Sequence, residues 1–135
     1  MGEDLDLGDL LAVAEGVLGV PTEELQHSAS VPRAQAALAE ALASFGGIYF
    51  YSDPVQRAAI CCSRIIRHDP FPRRNSWIAY LYMREILDRE GFSWPHFPDY
   101  VAEVSTMIEA LATETLSEEQ FVSWVRSRVA PEGGR

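Results

Sequence analysis

Apolar residues recur along this chain mainly at helical spacing, and only one stretch reads as strand. Seven helical segments are predicted. Leu7 to Leu18 carries Leu10, Leu11, Val13, Ala14 and Leu18, with Gly19 as its stop. Pro21 to Gln26 reads as a short helical turn. Val31 to Ser44 is alanine-rich, with Pro32 in its first turn and Leu38 and Leu42 on one face. Asp53-Pro54 is an N-cap followed by proline, the start of a helix to about Arg67. Its apolar side holds Val55, Ala58, Ala59, Cys62, Ile65 and Ile66; Arg57, Arg64 and Arg67 are placed on the opposite side. A helix from about Asn75 to Glu90 is apolar all round in its first two turns, the pattern of a central helix surrounded by others. Gly91 ends it. Further helices run from about Asp99 to Leu111 and from Ser117, whose spacing to Gln120 fits a capping box.

The exception lies between the third and fourth helices. Phe45-Gly-Gly-Ile-Tyr-Phe-Tyr-Ser-Asp53 has two glycines followed by β-branched and aromatic residues, the composition of a small hairpin. The expected fold is therefore all-α: a helical bundle around a buried helix at about 75–90, with one short β-hairpin flap at about 45–53. One domain over residues 1–135 suffices, with 130–135 as a frayed tail.

Composition narrows the chemistry. The formal charge is -9, against a broad nucleic-acid-binding face. All 11 basic residues are arginines, so no lysine is available for Schiff-base or phosphate chemistry. Cys61 and Cys62 are adjacent in an apolar helix, where neighbouring side chains diverge; they are expected as buried thiols in a reducing compartment. No Cys/His spacing matches a zinc site. The longest apolar run, Trp77 to Met83, is far too short for a membrane span. The acidic start (Glu3, Asp4, Asp6) lacks the features of a signal peptide, so a cytoplasmic location is expected.

Against that acidic background, the connection His68-Asp-Pro-Phe-Pro-Arg-Arg-Asn75-Ser-Trp77 is unusual. Two arginines stand where a helix begins, with Asn75 as the expected N-cap. Cations are unfavourable at a helix N-terminus, whose open N–H groups suit anions. Arg73, Arg74, Asn75 and Ser76 thus form a candidate phosphate site, with Phe71 and Trp77 as candidate pocket residues. Ordinary surface pairing of the arginines with carboxylates is the alternative. His68 and Asp69 are the candidate bases, histidine being suited by its near-neutral pKa. Equally, His68 can be a helix C-terminal residue near the last carbonyls, and Asp69 a cap or a partner of Arg67, Arg73 or Arg74. Ile48, Tyr49, Phe50 and Tyr51 form an aromatic flap, either a partner-binding edge or a small lid.

A glycine-bearing flap, a helix, then His-Asp-Pro-Phe-Pro-Arg-Arg-Asn leading into a buried helix ending Arg-Glu-Gly together resemble the Fic/Doc (Fido) family, in its Doc-like branch. The resemblance covers roughly Leu7 to Phe92. It implies a Fido-type bundle. Members of that family transfer part of a nucleoside triphosphate to protein hydroxyls; most transfer AMP, and Doc transfers a phosphate. The flap there holds the target backbone in extended form. Aligned on Phe71 and Asn75, Asp69 falls at the family's histidine, with His68 one residue early. Arg73 replaces the metal-binding carboxylate, Arg74 the small residue at the phosphates, and Trp77 the phosphate-binding arginine. Tyr80 stands where a second arginine often appears.

The resemblance and the altered motif together lead to three expectations. One is a phosphate-containing ligand, ATP or another nucleotide, bound without magnesium because Arg73 and Arg74 would repel the ion, with a non-standard phosphoryl or nucleotidyl transfer. Another is a catalytically inactive protein-interaction module. The last is a bacterial toxin that modifies a cytosolic protein and is held by a small antitoxin.

Overall fold

The computed structural model describes residues 6–94 and 101–131. Among the described residues there are seven helices: α1 (Leu7–Leu18), α2 (Thr22–Ser28), α3 (Val31–Ala41), α4 (Pro54–His68), α5 (Asn75–Arg89), α6 (Val101–Ala112) and α7 (Glu118–Arg128). Two small antiparallel ladders accompany them. Strands β1 (Ser44–Phe45) and β2 (Ile48–Tyr49) form the hairpin, and β3 (Phe92–Ser93) pairs with β4 (Ala130–Pro131). The fold is all-α with a short hairpin, as the periodicity predicts.

Local chemistry sets most of the boundaries. Asp6 and Asp9 exchange side-chain-to-backbone hydrogen bonds at the start of α1, a capping box built from two aspartates. Gly19 closes the same helix in the left-handed region at φ 70°. The Asp53 side chain accepts from the Val55 N–H, and Pro54 opens α4. Ser117 and Gln120 form the expected capping box on α7. In the hairpin, Gly46 and Gly47 have φ 61° and 82°. They are the two residues between the paired Phe45 and Ile48, where a tight hairpin turn needs positive φ twice.

Helices α4 and α5 form the centre as a pair. Helix α4 packs on α3, α5, α6 and α7, while α5 also meets α1, α6 and β3. The core joins Leu10 and Ala14 of α1, Ala58, Cys62 and Ile65 of α4, Ile78, Tyr82 and Met83 of α5, and Phe121 and Val125 of α7. Tyr82 is fully buried, and its hydroxyl donates to the Asp6 carbonyl at 3.1 Å. Both cysteines are buried and unbridged. Burial pushes the Cys62 thiol well above its usual range.

Several expectations need correction. The hairpin ladder covers 44–49; Phe50 to Asp53 descends from it into α4. Helix α3 ends at Ala41, before Ser44. Ala130 and Pro131, expected to fray, pair with Ser93 and Phe92. Arg57 is not on an outer face but 6% exposed. Residues 132–135 and 95–100, including the expected helix start at Asp99, lie outside the described residues. No helix among the described residues is long and apolar enough to cross a membrane.

Candidate functional site

The connection between α4 and α5 is a turn tied together by one side chain. Asp69 leaves α4 in the left-handed region, φ 52°, and its N–H donates to the Ile65 carbonyl at 3.0 Å. Pro70 and Phe71 then turn inward, and Phe71 is buried in the core. The Asn75 side chain lies behind this turn. Its Oδ1 accepts from the Phe71 N–H at 2.9 Å, and its Nδ2 donates to the Phe71 carbonyl at 2.9 Å and to Asp69 Oδ1 at 2.8 Å. A further tether comes from the N-cap of α3, where the Ser30 N–H donates to the Pro70 carbonyl at 2.7 Å.

This geometry revises the expected roles. Asn75 is not the N-cap of α5; it is the first helical residue, and Arg74 holds the capping position at φ 61° with no side-chain cap bond. A left-handed backbone is unusual for arginine and ordinary for glycine. Phe71, expected to line a pocket, is a core residue. Trp77 is half-buried and does line one. Ser76 is half-buried at the start of α5, while Arg73 and Arg74 are exposed. Neither arginine makes an ion pair or side-chain hydrogen bond among the described residues.

Both candidate bases have partners. His68 Nε2 lies 3.0 Å from Glu40 Oε2 on α3, and Asp69 is held by Asn75. Glu40 belongs to a wider charge cluster. Arg64 reaches Glu40 at 3.0 Å, both Glu118 oxygens at 2.8 and 3.1 Å, and the Tyr51 hydroxyl at 3.3 Å. Burial opposes ionisation of Glu40 and Glu118, but contacts with Arg64, joined by His68 at Glu40 and by Ser63 and Arg67 at Glu118, together outweigh it and hold both carboxyls below the usual range. The glutamates in turn raise Arg64.

The hairpin is held at its root and bare at its tip. The buried Arg57 donates to the Tyr51 and Ser52 carbonyls at 2.8 and 3.3 Å and to Glu90 at 3.3 Å. Its guanidinium also lies 4.0 Å from the centre of the Tyr49 ring. Arg126 pairs with Asp53. At the tip, Phe45 and Ile48 flank the turn and are 91% and 71% exposed, and Phe50, just past β2, is 77% exposed; these are the large exposed hydrophobics of the described residues. Tyr49 and Tyr51 are half-buried beneath them.

On α5, an open trough of about 660 Å³ lies against α1. Trp77 and Leu81 form one wall, Val13, Gly16 and Val17 the other, and Arg74 and Asp88 also line it. Next to Trp77, Tyr80 packs edge-on against both Trp77 and Trp94. Burial pushes Tyr80 up to about 12, with Arg84 opposing.

Sequence reasoning missed Arg57 and the trough. Arg57 follows Asp53 by one helical turn, so a long side chain there can fold back over the preceding segment; that spacing was the available signal. The trough has no local signal, because it depends on which helices pair.

No protein-family model, no curated protein and no solved structure matches this chain.

Proposed function

We propose that this chain is a Doc-like Fido-fold protein that works as a protein-interaction module, with the hairpin as the edge that takes an extended segment of a partner. The observation that carries this reading is the bare apolar tip on a pinned root. Monomer surfaces seldom gather three large apolar side chains on one short element without a use for them. A hairpin edge offers backbone hydrogen bonds to an added strand, and flanking side chains supply specificity. Anchoring by Arg57, Arg64 and Arg126 limits the ordering cost of binding. The partner bonds of His68 and Asp69 also favour a binding role over catalysis.

The family part of the reading rests on the 69–75 turn. Of Pro70, Phe71 and Asn75, the residues that align cleanly, the last two are hydrogen-bonded to each other. Arg74, standing where the family has a small residue, adopts the backbone conformation that glycine favours.

The test is to pan the immobilised chain against short random peptides. The reading expects extended, apolar-containing binders that are lost on joint Phe45→Ser and Ile48→Ser substitution. Binders indifferent to those changes would refute it.

A second reading, binding of a phosphate-containing ligand without magnesium, draws on the exposed Arg73 and Arg74 beside the α5 N-terminus. In that reading Ser76 and the first α5 N–H groups complete the site, and His68 or Asp69 would act as base in any transfer. Calorimetry with ATP, with and without magnesium, separates the two. Saturable binding abolished by Arg73→Ala and Arg74→Ala would favour this second reading.

A further inference from the structure

We propose that the trough between α1 and α5 is a docking groove for a single amphipathic helix of a partner protein, with an acidic side chain at one end and a basic one at the other. This site is separate from the hairpin and does not rest on its proposed role.

Its shape is the first argument. The trough is open and runs between α1, of about three turns, and α5, of about four, with apolar walls from Val13 and Val17 on one side and Trp77 and Leu81 on the other. Such a surface suits the apolar stripe of a helix, whereas small-molecule sites enclose most of their ligand.

Charge placement is the second. Arg74 stands at the start of α5 and Asp88 near its end, and both line the trough; Arg84 and Glu85, also in the lining, offset each other and leave the Asp88 end net negative. Neither the Arg74 nor the Asp88 side chain has an ion pair or hydrogen bond among the described residues. Fourteen helical steps separate them by roughly 21 Å, the length of about four turns. Between Arg74 and Arg84, α5 contributes only Trp77 and Leu81 to the lining. An occupant with a carboxylate opposite Arg74 and a cation opposite Asp88 satisfies both ends while burying the apolar middle.

The third argument is Gly16. It lies inside α1 with no positive φ, and a Cβ added there would meet nothing within 4 Å. Glycine weakens a helix interior relative to alanine, and nothing within this chain's packing requires it. Together with Ala12 one turn earlier, it leaves the α1 backbone open to close approach by an outside helix.

The experiment uses the full chain and three fluorescein-labelled peptides of about 18 residues, each with leucines on one helical face. One carries glutamates at one end and arginines at the other; the controls carry arginines at both ends or glutamates at both. Anisotropy titration should show at least tenfold tighter binding of the mixed-charge peptide. Arg74→Glu should transfer that preference to the peptide with arginines at both ends. Gly16→Trp should weaken binding at least tenfold with an unchanged thermal midpoint; if it lowers the midpoint, Ala12→Arg replaces it. Absence of saturable binding overturns the proposal, as does binding indifferent to the end charges or to the α1 substitutions. So does self-association in sedimentation that Gly16→Trp abolishes, since a second copy would then be the occupant.

Discussion

Asn75 Nδ2 donates to Asp69 Oδ1 at 2.8 Å across the turn that joins the two central helices. The same amide makes two bonds to the Phe71 backbone, so one side chain sets the path of the connection. Asn75→Ala strips partners from the Phe71 N–H in a buried setting. We expect it to cost about 2 kcal/mol, read by urea unfolding. Asn75→Asp should cost at least as much, because a carboxylate cannot donate to Asp69 and repels it. A change below about 0.5 kcal/mol in both variants would show that the turn holds without this amide.

Arg57 should control the order of the hairpin. Arg57→Met keeps most of the side-chain volume but removes the donors to the Tyr51 and Ser52 carbonyls and the partner of Glu90. The expected loss is about 1–2 kcal/mol in global stability. Hydrogen exchange should respond more sharply. The Phe50 N–H, bonded to the Ala43 carbonyl at 2.8 Å, should exchange at least tenfold faster. Unchanged exchange there would show that the hairpin is held by other contacts.

Acid should loosen the Arg64 cluster. The folded-state pKa values of Glu40 and Glu118 lie below the ordinary 4.5, so their pairing stabilises the fold above that pH. The contribution is lost as pH falls through the depressed values, when each glutamate takes up a proton. Glu118 is the better shielded of the two and should matter more. Arg64→Met should therefore lower the thermal midpoint near neutrality and flatten its fall between about pH 5 and about pH 3. A parallel pair of pH profiles would contradict the assignment.

The two thiols should be inert in the native state. Cys61 and Cys62 are fully buried, and burial holds Cys62 strongly in its protonated form. A disulfide-exchange reagent at pH 8 should label neither within minutes, and both immediately after denaturation. Rapid labelling of either in the folded protein would mean that α4 opens locally.

Much of the helical scaffold is legible in the sequence because its determinants are local. Asp53-Pro54, Ser117 with Gln120, Gly19 and the paired glycines of the hairpin each act within a few residues. The role of Asn75 is less legible. Asparagine is a good N-cap, and only the left-handed Arg74 shifts the helix start by one position. Arg57 misleads because helix-face reasoning sends a charge outward unless its partners are known, and Glu90 lies on a different helix's end. Strands β3 and β4 have two residues each, too few to show any period, and their pairing joins distant parts of the chain. Of the candidate site, the exposure of the two arginines follows from residue type; that of Phe45, Ile48 and Phe50 does not, because apolar side chains favour burial and the flap reads equally as an edge or a lid. The engagement of His68 with Glu40 does not, because it depends on α3 packing beside α4.

The Ser30–Pro70 tether has a practical consequence. It holds the inter-helix turn from outside, through the N-cap of a helix that lies far away in the sequence. A synthetic fragment spanning 68–77 would lack that tether and should sample many conformers in water. Antibodies raised against such a fragment should recognise denatured protein better than native. Grafting the ten residues into an unrelated host would transplant their order but not their shape.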